Sequence, residues 1–148
     1  MESQLLSEQS RFEGLARSLQ EQINALGERL EREAFHFALA VAAKLVKREV
    51  SVDDQVVVRQ VHDAIHRVVG VETIKLRVNP ADEAMVRNHR SSFLASSDSV
   101  REMAIEADEK IEQGGCILES SSGNVDARRA TQLKQIEAAL FPTAKEIA

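Results

Sequence analysis

Residues 5 to 48 contain no proline and repeat an apolar residue at three- and four-residue steps, and this long unbroken period constrains the chain more than any other feature. Leu5, Phe12, Leu19 and Leu26 recur every seven residues, with Glu33 and Ala40 continuing the series. A second series, Ala16, Ile23, Leu30 and Phe37, runs four residues behind. Two such series define the seam of a coiled coil, with Phe12, Ala16, Leu19, Ile23, Leu26 and Leu30 as its candidate dimer positions. Glu13, Gln20, Gln22, Glu28 and Arg29 keep the flanks polar. Gln9, Glu33 and Lys44 interrupt the seam, and Gly14 and Gly27 each weaken the helix by about 1 kcal/mol relative to Ala. A stripe this narrow suits a helical partner, at a reach on the order of 60 Å. The alternative is an amphipathic helix folded back on its own domain.

At Ala34 the pattern changes. AFHFALAVAAKLV (34–46) is apolar nearly all round, which predicts a helix end buried in a domain. Ser51-x-x-Asp54 resembles a capping box opening a second helix, with Val57, Val61, Ile65 and Val68 inward and Gly70 as its C-terminal cap. The period then switches to two: Ile74, Leu76 and Val78 alternate with Thr73, Lys75 and Arg77 as a strand. Asn79-Pro80 starts a helix, with proline in its first turn, whose inward face is Met85, Val86, His89 and Phe93. Met103, Ile105 and Ala107 predict a second strand, Cys116 to Glu119 a third, and Val125 a brief return to the sheet. The fold class is therefore α+β: a long N-terminal coiled-coil helix, then a small C-terminal domain with helices packed on a short three- to four-stranded sheet. The division falls at 1–34 for the stalk and 35–148 for the domain.

Composition narrows the function. Five Phe, no Trp and no Tyr leave few platforms for stacking bases or lining a ligand pocket, and a net charge of −5 opposes phosphate binding. Nucleic acid is not an expected partner. A single cysteine fits a reducing compartment. No stretch approaches the ~20 apolar residues of a membrane span, and MESQLLSEQS has no basic start followed by an apolar run. The expectation is a soluble cytoplasmic protein.

EQGGCILESSSGNVDA (112–127) gathers residues that chemistry uses, yet each has a structural role available. Cys116 lies within an apolar strand with no helix opening behind it, so it reads as a small buried residue. Gly114 and Gly115 suit a tight turn between the second and third strands, and they lack the Gly-Lys-Ser/Thr ending of a phosphate loop. Asp126 precedes ARRATQLKQIEAALF, where a carboxylate accepts the first free helix amides for about 1 kcal/mol. In HDAIH, His62 and His66 stand four apart as zinc ligands do, but Asp63 replaces the expected Glu and only His89 follows. No catalytic, cofactor or metal residues are assigned, and the chain is not expected to be an enzyme.

GGCILESSSG followed by NVDARRATQL resembles the end of the bacterial flagellar assembly protein H family and its type III secretion stator relatives. The matching positions are Gly114, Gly115, Cys116, Ile117, Glu119, Gly123, Val125, Asp126, Ala127, Gln132 and Leu133. IKLRVNPAD (74–82) resembles the family's strand-to-helix junction, and the resemblance runs in order over about residues 35 to 141. It implies a peripheral-stalk protein similar in role to the E-like stalk of V-type ATPases. Such a protein dimerises through its long helix and binds and restrains the export ATPase. It also tethers that ATPase to the export machinery, with the switch complex or sorting platform as a further contact. The implied location is cytoplasmic, peripheral to the inner membrane. A virulence-type secretion stator and an E-like stalk of a rotary ATPase are the alternatives. The family carries small-residue repeats and aromatic docking residues at a longer N-terminus. Gly14-x-x-x-Ser18 is a faint trace of the repeat, which suggests a shortened or reduced docking end.

Overall fold

A computed structural model describes residues 1–141, which divide into two compact units, Met1–Ala42 and the residues from Ala43 onward. The first helix, α1 (Glu2–Val52), forms without a break, as its proline-free sequence requires. Surface pairs four residues apart support it, including Gln9 to Glu13 at 3.3 Å and Arg29 to Glu33 at 3.0 Å.

The second unit is built on a four-stranded sheet. Its elements are α2 (Val56–His66), β1 (Thr73–Val78), α3 (Glu83–Asn88), α4 (Arg90–Ala95), β2 (Glu102–Ala107), β3 (Cys116–Ser120), β4 (Gly123–Asp126) and α5 (Arg129–Leu140). Strand order is β2-β1-β3-β4. β1 and β2 run parallel, with Leu76 opposite Ile105, because α3 and α4 carry the chain back between them. β3 lies antiparallel on the other edge of β1, with Leu76 opposite Leu118.

Alternation along β1 sends Ile74, Leu76 and Val78 into the core, where Met103, Ile105, Cys116 and Leu118 join them. The helices cover this face with Val57, Val61 and Ile65 from α2, Val86 from α3 and Phe93 from α4. The opposite face is polar. Lys75 pairs with Glu106 at 3.0 Å, and Arg77 reaches both Glu119, at 3.0 Å, and Asp108.

Several local expectations are corrected. Ser51 belongs to α1 and donates its hydroxyl to the Arg48 carbonyl, so it caps nothing. Asp53 shapes the α1–α2 turn instead: it accepts from the Gln55 amide at 2.9 Å and from Arg59 at 2.6 Å. Gly70 lies beyond the Arg67 that ends α2, with φ 72°, in the loop to β1. Pro80 sits in a turn ahead of α3, where Asn79 accepts from the Ala81 amide and donates to the Ile111 carbonyl. The single helix expected after Pro80 is two short ones meeting at His89. Gly114 and Gly115 do not join adjacent strands. They end the connection 108–115, which must pass β1 to reach its far edge. The Asp108 amide donates to the Val78 carbonyl at 2.7 Å along that path.

Candidate functional site

The residues that stand out for interaction lie on α1. None of its side chains is buried, although a chain of this size rarely leaves a contiguous apolar stripe in water. Phe12 is 73% exposed, and Leu19, Ile23, Leu26 and Leu30 are each more than half exposed; Ala16 is open as well. At 3.6 residues per turn these six positions fall within about 80° of the helix surface. A helix of like pattern is the partner such a stripe accommodates, knob into hole. Residues 34–46 depart from the expected burial. Phe37, Val41, Leu45 and Val46 remain exposed, and only Phe35, Leu39 and Ala43 are half-covered.

The glycine-rich stretch forms a packed junction. Gly114 has φ 82°, a conformation that costs an L residue about 1–2 kcal/mol, and its amide donates to Asp82 at 2.8 Å. A Cβ there would lie 2.9 Å from a Val50 methyl on α1 and 3.4 Å from a Val56 methyl on α2. Gly115 passes the Arg128 backbone so closely that a Cβ would come within 3.3 Å of its Cα. The pair therefore lets the loop seat beneath the end of α1. Gly114→Ala is expected to cost about 2 kcal/mol through backbone strain and the Val50 contact. An unchanged denaturation midpoint would remove this account of the glycine.

Asp126 ends β4 rather than capping α5. Its carboxylate accepts from the Arg128 amide at 3.1 Å, from the Arg128 guanidinium at 2.6 Å and from the Thr131 hydroxyl at 2.9 Å. The α5 amide of Ala130 is met instead by Glu112, at 3.3 Å, and Glu112 also pairs with Arg129 at 3.2 Å. Sequence reading missed Glu112 because the contact joins a loop to a helix eighteen residues on, with no period to mark it.

The Arg128 guanidinium, with the Arg128 amide and Thr131 hydroxyl behind it, holds the Asp126 carboxyl at about 2, against an ordinary 3.8; partial burial opposes the shift. A carboxyl depressed on folding contributes stability above its unfolded value and loses it as pH falls through the folded one. Asp126→Ala should thus cost about 1 kcal/mol at neutral pH. That deficit relative to the natural chain should vanish between about pH 4 and pH 2. Denaturant titrations across that window check it, and a deficit independent of pH would assign the loss to packing.

The remaining candidates are tied into the structure. Cys116 is fully buried, and burial pushes its thiol up to about 12, far from a nucleophile's range. The His62 ring meets the Ser96 hydroxyl at 3.3 Å and stands edge-on to Phe93 at 4.8 Å, while His66 is exposed. Among the described residues no three His, Cys, Asp or Glu side chains gather as a metal ion would need.

Comparisons with known proteins match most of the chain. A family model described as the flagellar assembly protein FliH matches residues 6–136. The flagellar assembly protein FliH of Borreliella burgdorferi is 34% identical over 99 residues, covering 67% of this chain and 32% of that protein. A type 3 secretion system stator protein of Yersinia pestis is 28% identical over 83 residues, 56% of this chain and 38% of its own length. The same values hold for its Yersinia pseudotuberculosis counterpart. The aligned stretches thus span about a third of these curated relatives (32% and 38%). With its long amphipathic helix, its small sheet domain and a match over most of its length, the chain belongs to the flagellar assembly protein FliH family.

Proposed function

We propose that this chain is a homodimeric peripheral-stalk protein, a stator, of the bacterial flagellar protein export apparatus. It binds the export ATPase, restrains its activity and tethers it to the export machinery. The observation that carries the reading is the exposed apolar stripe on α1, from Phe12 to Leu30. In this reading residues 1–34 are the stalk, and Phe12, Ala16, Leu19, Ile23, Leu26 and Leu30 are its seam. Residues 35–148 bind the ATPase, with Gly114, Gly115 and Asp126 as structural residues of that domain. The protein works as a non-catalytic binding element without cofactor or metal. It is placed in the cytoplasm at the inner-membrane export apparatus, with the switch complex or sorting platform as a further contact. Among the described residues no helix is long and apolar enough to cross a membrane, which fits peripheral attachment.

Light scattering coupled to size exclusion tests the reading, with the chain alone and with the export ATPase. The expected result is a dimer of about 33 kDa, twice the 16.4 kDa of one chain, which shifts to a two-to-one complex. A monomer that ignores the ATPase would sink the proposal. The second reading is a virulence-type stator, favoured by the Yersinia stator proteins at 28% identity. Capture of a virulence-type ATPase in preference to a flagellar one would select it. An E-like stalk of a rotary ATPase would instead require a mate other than a second copy.

A further inference from the structure

Beyond Leu30 the apolar stripe does not keep its seven-residue phase. Through the stalk the steps alternate between four and three: Phe12, Ala16, Leu19, Ile23, Leu26, Leu30. A strict continuation passes Glu33 and Phe37 and then selects Ala40 and Lys44. The exposed large apolar residues of this stretch are instead Phe37, Val41, Leu45 and Val46, at 72%, 43%, 61% and 44%, and the first three, in steps of four, continue the stripe. Repeated steps of four are a stutter, which locally unwinds a left-handed supercoil.

We infer that the dimer seam runs past the stalk, through Phe37, Val41 and Leu45, with a second copy of this chain paired in parallel as its occupant. The inference rests on the homodimer reading above and extends it. Three features point to a second copy. The residues continue, on one unbroken helix, the stripe that already reads as self-pairing. They are uncharged, as same-residue contacts across a two-fold axis require, whereas the strict phase sets Lys44 against its own copy at a cost in repulsion and desolvation. The one charge left on the seam ahead of them, Glu33, is already bonded to Arg29 at 3.0 Å. The stutter thus moves a lysine off the interface and keeps the two helices together beyond residue 34.

Variants of the full chain with one added cysteine test this under mild oxidation, because the native Cys116 is buried. Ile23→Cys is the stalk control. Phe37→Cys, Val41→Cys and Leu45→Cys are expected to form same-residue disulfides at rates near that control, and Ala40→Cys and Lys44→Cys about tenfold more slowly. Val41→Asp should raise the dimer dissociation constant about a hundredfold while far-UV dichroism stays unchanged. Rapid crosslinking at Ala40 and Lys44 instead would restore the strict phase and overturn the stutter. A crosslink at Ile23 with silence from 37 to 45 would show the helices parting at the stalk's end, overturning the extension but not the dimer. Silence at Ile23 in a monomeric chain would overturn both, and in a dimeric chain it would overturn parallel pairing. If Val41→Asp spares the dimer but abolishes ATPase capture, the face belongs to that protein and the inference fails.

Discussion

Ile23→Asp combined with Leu30→Asp is expected to leave the chain a monomer at concentrations where the proposed dimer of the natural sequence forms. Both positions are more than half exposed in the single chain, so the helix and the sheet domain should tolerate the change. In a paired seam each carboxylate would be buried without a partner, at several kcal/mol apiece. A two-fold interface repeats each substitution, so the dissociation constant should rise more than about a thousandfold. Scattering mass should fall to 16.4 kDa, while the thermal transition of the sheet domain persists. Ile23→Leu with Leu30→Ile, which keeps the apolar surface, should remain dimeric. A charged double variant that still dimerises would mean that another surface pairs the copies.

Phe93→Ala acts on the other unit and should be the most damaging single truncation there, at about 3–5 kcal/mol. Phe93 is wholly buried on α4, between the edge of the His62 ring at 4.8 Å and the His89 ring at 6.3 Å. Removing it strips the contact that orients His62 and leaves a void that the short helices α3 and α4 cannot close by sliding, since their lengths are set by the β1-to-β2 crossover. Against a total stability of about 5–15 kcal/mol, that loss brings the domain near unfolding at growth temperatures. Phe93→Leu, which keeps most of the volume, should cost less than about 1.5 kcal/mol. Denaturant midpoints separate the two variants. An alanine variant as stable as the leucine one would show that the site collapses around the void.

Much of this architecture can be read in particular residues before any coordinates. Ile74, Leu76 and Val78 announce β1 because a strand turns successive side chains to opposite faces, and all three are buried. The proline-free repeat announces α1, and its periodic apolar residues from Phe12 to Leu30 are exposed along one stripe. Where reading fails, the deciding contact joins distant parts of the chain or depends on where a helix stops. Ser51 has the spacing of a cap, but α1 runs past it and Asp53 takes the turn. Asp126 lies in the expected place, yet Arg128 and Thr131 claim its carboxylate while Glu112 serves α5. Gly114 carries no sequence sign that it faces a Val50 methyl on a helix sixty-four residues earlier.

The division follows from the range of the forces. By itself the sequence determined the long first helix, the strands and the apolar stripe, because these depend on local period and residue type. Only the tertiary structure decided that β1 sits between β2 and β3 with one parallel neighbour, and which carboxylate meets which amide. It also decided that residues 34–46 keep an open apolar side. Those outcomes come from hydrogen bonds and burial between segments far apart in the chain, and each is chosen by whichever partner the fold brings within about 3 Å.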